Sequence, residues 1–237
     1  MPARTMFGFA VHILTASGAV CGLVALHHAV DHEWKQVFLW LGVAVIIDAV
    51  DGPLARKVQV EQSLPRFSGA RLDLVVDYFN YCIVPAFIVW ESGLAGEGFG
   101  LFAGAVILLS SLFHFADSNS KTKDGFFVGF PALWNVVCLY FFVFDPGSAL
   151  VLATILVLAA ATFIPMKWVH PVRVQRWRGL TMTITLVWAV AALHEVIKDF
   201  PGTQPMQVIF AIAAAYFLAI GVSRTLFERN WRQYTPE

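Results

Sequence analysis

Four aspartates set the chemistry available to this chain. Asp48 and Asp51 stand three residues apart and Asp73 and Asp77 four apart, within sequence otherwise apolar enough for membrane helix. These spacings put each pair on one face of a helix. The short connection between the pairs makes the two helices antiparallel neighbours, so the four carboxylates converge. A carboxylate at mid-helix in hydrocarbon costs roughly 2.5–3.5 kcal/mol on an insertion scale, and four left bare would cost on the order of 10 kcal/mol. A bound cation is the compact way to neutralise them. Carboxylate oxygens are hard ligands, which favours Mg2+ or Mn2+ over zinc. Four of them suffice for two ions about 3.5–4 Å apart, an arrangement suited to phosphoryl chemistry. The plainer reading is four helix-end acids solvated at a membrane surface, but ionisable groups inside membrane segments are rarely idle.

The residues between the pairs sharpen this. Gly52 and Ala55 leave the helix surface bare beside the first pair, and Arg56 follows with a guanidinium fork suited to phosphate oxygens. Gly69 opens a similar gap one turn before Asp73. The order D-x2-D-G-x2-A-R, a spacer, then G-x3-D-x3-D resembles the signature of the CDP-alcohol phosphatidyltransferases, an integral membrane family, and every fixed position is filled. The spacer of twelve residues, Lys57 to Ser68, is longer than most of the family carries and contains Leu64-Pro65-Arg66. It and the run F-F-V-G-F-P-A-L-W-N at Phe126 to Asn135 are similar to the bacterial phosphatidylcholine synthases of that family.

The resemblance implies a CDP-diacylglycerol substrate and a small alcohol acceptor, with Mn2+ or Mg2+ as cofactor, two ions by family analogy. It implies that Asp48, Asp51 and Asp73 are the main metal ligands, with Asp77 near the second metal and acting as general base on the acceptor hydroxyl. That hydroxyl attacks the β-phosphorus and expels CMP. The CDP end is expected against Asp48, Gly52, Ala55, Arg56 and Gly69, with Ser17 of the first span. For Thr15 and Ser17, in L-T-A-S-G at Leu14 to Gly18, two readings stand: polar contacts to the substrate, or small residues at a helix–helix contact. Lys121 and Lys123 invite a similar pair of readings, a diphosphate or anionic headgroup contact or simple topogenic charge.

The acceptor implied by the subfamily resemblance is choline, whose quaternary ammonium favours aromatic faces and a nearby anion. Tyr81 continues the Asp73–Asp77 face, Tyr78 is adjacent, and Trp134 and Asn135 belong to the later aromatic run. These four are the candidate choline-binding residues, against the ordinary reading of aromatics as packing or interfacial anchors. Two alternatives remain open. One keeps the chemistry with serine, inositol phosphate or glycerol phosphate as acceptor. The other, from a different class, is a cation or proton-coupled transporter with the aspartates as an ion path. All four acids near one membrane surface, without comparable acids deeper, argue against the transporter.

The elements that position these residues follow from composition. Hydrophobic residues make up 58% of 237 and charged residues 14%, with mean hydropathy +0.69. Such a chain is a multispanning membrane protein rather than a soluble domain. The expected fold is all-α, one CDP-alcohol phosphatidyltransferase membrane domain over 1–237, with both termini cytoplasmic. About eight spans of near ~20 residues are expected at Met6–Val30, Trp34–Arg56, Gly69–Glu91, Phe99–Ala116, Phe126–Phe144, Ala149–Met166, Leu180–Val196 and Met206–Phe227. The first is a span rather than a cleaved signal. With that layout Arg4, Arg56, Lys57, Arg66, Arg71, Lys121, Lys123, Lys167, Arg173, Arg176, Arg178, Arg224, Arg229 and Arg232 fall on one side, and only Lys35 and Lys198 on the other. The positive-inside rule then places both termini and the aspartates on the cytoplasmic side, and the subfamily resemblance implies a bacterial inner membrane.

Sixteen basic and sixteen acidic residues balance, and no concentrated basic face supports nucleic-acid binding. Cys21, Cys82 and Cys138 each sit in an apolar run and read as buried, inert thiols. Trp168 to Gly179 is basic with two tryptophans and reads as an interfacial stretch on anionic headgroups. His114 falls near the expected site but reads first as a satisfied interface histidine. Homodimers occur in the family, so the resemblance also admits one here.

Overall fold

The computed structural model describes residues 3–122, 125–171 and 177–227. Its helices are α1 Ala3–Val30, α2 Trp34–Val58, α3 Val60–Ser63, α4 Gly69–Tyr78, α5 Val84–Glu91, α6 Gly100–Ala116, α7 Trp134–Phe144, α8 Ser148–Ala161, α9 Arg178–Lys198 and α10 Gln204–Phe227. A π-helical turn, Phe79–Ile83, joins α4 to α5 into one rod. Among the described residues, five helical rods are long and apolar enough to cross a membrane: Arg4–Val30, Trp34–Val58, Gly69–Glu91, Arg178–Lys198 and Gln204–Phe227. Helices α6, α7 and α8 are apolar but shorter. Leu109, Phe113, Val157, Leu186, Val190 and Ile212 all stand more than half exposed, as helices solvated by lipid require. The chain is an all-α, multi-pass membrane protein.

Small residues decide how the first three rods meet. On α1 the buried positions Gly8, Val11, Thr15, Gly18, Gly22, Ala25 and Ala29 recur at helical spacing and form one stripe. A side chain at Gly18 would stand 2.8 Å from Val76, and one at Gly22 would collide with Phe79 and Asn80. The two glycines form a notch that receives α4 and the π turn, as small residues do wherever membrane helices approach closely. Next to this, a core built on α5 and α7 packs Val84, Ile88 and Val89 against Trp134, Cys138 and Phe141. Cys21, Cys82 and Cys138 are free and buried, as the sequence indicates.

One expected span is not a single helix. Phe126–Val128 is a strand, β1, paired antiparallel with β2, Lys167–Val169. Helix α7 starts only at Trp134, and at about 1.5 Å per residue its 11 residues fall short of a ~30 Å hydrocarbon core. The cause is local. Pro131 lacks an N–H and biases Phe130 to extended backbone. Gly129 has φ 74° and Ala132 φ 55°, conformations that no helix contains. The Gly129 N–H donates to Met166 O at 2.9 Å, and any side chain at Gly129 would collide with the Thr162 backbone. The strand pairing also ends α8 at Ala161, short of the expected Met166. Trp168 turns inward against Phe130 (ring centroids 5.4 Å apart), while Trp177 stays exposed. Lys123, Arg173, Arg176, Arg229 and Arg232 lie outside the described residues.

Candidate active site: a carboxylate cleft between three rods

The cleft lies where α1, α2 and α4 meet. Asp48, Asp73 and Asp77 each offer a carboxylate oxygen, and these oxygens lie within 4.8 Å of one another. Asp51, only 4% exposed, lines the same cleft. The remaining walls are Thr15 and Gly18 of α1, Ala44, Val45 and Ile47 of α2, Val76 of α4, and Asn80 and Tyr81 of the π turn. The sequence folds this way because α2 and α4 each present two acids on one face, and the Gly18–Gly22 notch on α1 draws the α4 rod close.

Electrostatics make the arrangement costly without a cation. Two like charges at this separation repel by about 3–4 kcal/mol at an effective dielectric near 20. Asp77 is acted on by the charges of Asp48, Asp73 and Asp51, with Lys121 the opposing cation. The donor set is all carboxylate oxygen, so it fits a hard divalent ion and not a soft one.

Around the acids the structure distributes the expected residues unevenly. Tyr81 reaches the cleft: its hydroxyl donates to Asp48 Oδ2 at 2.8 Å. On α2, Asp48, Gly52 and Arg56 follow at four-residue steps and share one stripe, and a side chain at Gly52 would meet only the Arg56 guanidinium, at 3.5 Å. Proline at position 53 sits inside the helix directly after Asp51 and Gly52, which removes one helical hydrogen bond beside the acids. Gly69 opens α4, whose N-cap Ser68 accepts from the Arg71 N–H at 3.3 Å. Lys121, exposed on the ribbon and paired with Phe127, holds its ammonium 5.8 Å from the Phe127 ring.

Other expected residues are not brought to the cleft lining. Ser17 donates back to Leu14 O within its own helix, at 2.6 Å, whereas Thr15 does line the cleft. The Tyr78 hydroxyl donates to Leu108 O at 3.2 Å, and its ring meets Phe115 edge-on. Trp134 is fully buried, with its indole N–H on Ser111 Oγ at 2.8 Å and its ring edge-on to Phe130. Asn135 is buried and accepts from the Val136 N–H. His114 is buried between Phe115 and Phe127.

Asn80 is a cleft residue that sequence reasoning misses. Its side-chain N–H donates to Gly18 O at 3.0 Å, which locks the π turn into the α1 notch. A four-residue glycine spacing on α1 was the available signal, since it marks a close helix contact.

Comparison with known proteins completes the assignment. No family model matches the chain. Curated relatives do, phosphatidylcholine synthases among them. That of Bradyrhizobium diazoefficiens is 44% identical over 233 residues, covering 97% of this chain and 86% of the relative. That of Pseudomonas aeruginosa is 42% identical over 231 residues, covering 97% and 96%. That of Mesorhizobium japonicum is 43% identical over 218 residues, covering 92% and 81%. Identity of this order, maintained along nearly the whole of both chains and joined to a carboxylate cleft built from the family motif, shows that the chain belongs to the phosphatidylcholine synthase family.

Proposed function

We propose that the chain transfers the phosphatidyl group of CDP-diacylglycerol to choline, yielding phosphatidylcholine and CMP. The observation that carries this reading is the gathering of Asp48, Asp73 and Asp77 within 4.8 Å in a chain of this family. Asp48, Asp51, Asp73 and Asp77 would hold two Mn2+ or Mg2+ ions, which when bound supply positive charge to the diphosphate and the departing CMP.

The chain's own residues do the rest. Arg56, on the stripe below Asp48 and Gly52, clamps a phosphate oxygen. Gly52, Ala55 and Gly69 leave room for the nucleotide. Asp77 takes the proton of the choline hydroxyl as that oxygen attacks the β-phosphorus and the bond to CMP breaks. The hydroxyl is a very weak acid, so its proton leaves during attack and not before it. Tyr81 lines the cleft and is tied to Asp48, which supports it, among the aromatic candidates, as the residue that meets the choline cation. Trp134 is fully buried and bonded to Ser111, so a choline face there requires the segment around it to move.

The substrate is half lipid, which explains a polar site at membrane depth: acyl chains stay in the bilayer while the nucleotide faces the cytoplasm. The positive-charge asymmetry supports a multi-pass topology in the bacterial inner membrane with this cleft on the cytoplasmic side. The whole chain acts as one domain, and a homodimer is compatible with it.

The test follows CMP release by purified protein in detergent with CDP-diacylglycerol and Mn2+. Choline is expected to be the productive acceptor, and chelator to stop the release. Productive release with serine, glycerol phosphate or inositol phosphate in place of choline would overturn the acceptor. Release undiminished by chelator would overturn the metal scheme.

A further inference from the structure

His12 of α1 is nine-tenths buried, at 9% exposure. Its Nε2 is enclosed and meets no hydrogen-bond partner among the described residues. A neutral imidazole carries one donor and one acceptor, and burying either without a partner leaves its desolvation uncompensated. Such a group in a folded protein calls for an explanation, and a ligand is one.

The position of His12 points to that ligand. It lies one helical turn before Thr15, which lines the carboxylate cleft. On the facing rod its ring edge abuts Gly69: a side chain at Gly69 would stand 3.3 Å from His12 Cε1 and 3.9 Å from Nδ1. Gly69 in turn lies one turn before Asp73. His12 therefore sits one turn from the cleft-lining Thr15 on α1, its ring against the gap left by Gly69, one turn before Asp73 on α4. A half-turn of the ring about its Cβ–Cγ bond exchanges Cε1 with Nε2 and brings the orphan nitrogen to that gap without moving backbone. Asn80, a cleft side chain whose Oδ1 is buried without a partner, already donates its N–H to Gly18 O in the α1 notch. Among the described residues His12 makes no such bond.

On the reading of the cleft given above, we propose that His12 is a specificity-determining residue, hydrogen-bonding the cytidine end of the substrate beside Gly69. A pyrimidine edge and a ribose both present donors and acceptors, which a neutral imidazole can match from either nitrogen. A diphosphate presents acceptors alone and is better served by Arg56.

The test measures CMP binding by equilibrium dialysis in Mn2+ for wild type, His12→Ala and His12→Asn. Loss of one such hydrogen bond predicts about fivefold or greater weakening in His12→Ala. It also predicts an increased KM for CDP-diacylglycerol with the choline KM unchanged. His12→Asn retains a donor and an acceptor and is expected to recover part of the affinity. It also carries the test if the alanine variant does not fold. The thermal stabilisation by Mn2+ alone is expected to be the same in all three. CMP affinity within twofold of wild type in folded His12→Ala, or in His12→Asn where the alanine variant does not fold, overturns the role of His12 and leaves the phosphatidyl-transfer reading intact. A wild-type protein that binds no CMP overturns both.

Discussion

Two groups of buried or half-buried carboxylates in this protein behave in opposite ways. Glu195, near the end of α9, is fully buried and meets donors supplied by the chain. Thr203 gives it a backbone N–H at 3.0 Å and a hydroxyl at 3.5 Å, and His194 Nδ1 stands 2.9 Å away. The same loop is stitched to α7: Gly202 N–H and the Gln207 side-chain N–H both donate to Val143 O. Asp48, which accepts from Tyr81, is brought together with Asp73 and Asp77, with oxygens of all three within 4.8 Å of one another. A carboxylate that holds structure is matched by donors and kept apart from like charge. Carboxylates that share one small space with like charge are arranged for a cation from outside.

The contrast is broken most severely at the cleft. Asp77→Asn is expected to lower turnover on the order of 10²–10⁴-fold, the usual worth of a general base, and Asp73→Asn to lower it to background. Both variants should fold, because removing one like charge relieves repulsion. Near-normal rates in either, measured as CMP release, would remove that residue from the scheme. Next in size is Glu195→Leu, which strands the Thr203 donors and should destabilise the protein by about 1–3 kcal/mol. Thermal unfolding in detergent reads this, and the specific activity of the folded fraction should stay at the wild-type level. If activity falls while stability holds, the two carboxylate groups are not separable in the way argued.

A smaller effect sharpens the comparison at its boundary. Tyr81→Phe deletes the hydrogen bond to Asp48 Oδ2 and keeps the aromatic face. A bond of about 0.5–1.5 kcal/mol predicts a several-fold rise in the Mn2+ concentration for half-maximal activity, with the choline KM little changed. A shift in choline KM alone would assign the hydroxyl to the acceptor instead. Smallest is Trp134→Phe, which loses the bond to Ser111 Oγ and should cost about 1 kcal/mol of stability, read by the same unfolding assay.

Much of this was legible in the sequence, for identifiable reasons. The three- and four-residue spacings of the acids and the short link between their helices are local facts, and they suffice to bring Asp48, Asp73 and Asp77 together. The Asp48–Gly52–Arg56 stripe follows from the same periodicity. Non-local packing is where periodicity stops helping. The run from Phe126 to Phe144 has the hydropathy of a span, yet Gly129 and Pro131 divide it, and its partner strand at Lys167–Val169 is about forty residues away in sequence. Trp134 and Asn135 carry aromatic and amide chemistry, but backbone conformation at Gly129 to Ala132 sends them into the core. Past Tyr78 the π turn holds more residues than a 3.6-residue wheel allows, so the place of Asn80 at the cleft is not readable from its own spacing to Asp73 and Asp77, and only the glycine pair on α1 hints at it. His12 offers no motif at all. Its interest comes only from burial and from the glycine it faces.

The central claim is that the cleft formed by Asp48, Asp51, Asp73 and Asp77 holds divalent metal. Titrating purified protein with Mn2+ and following the free-ion paramagnetic resonance signal tests it most directly. The account predicts about two ions taken up per wild-type chain, as a two-metal phosphoryl-transfer site requires, and clear loss of uptake in Asp73→Asn. Equal uptake by wild type and Asp73→Asn, or none by folded wild type, would contradict it.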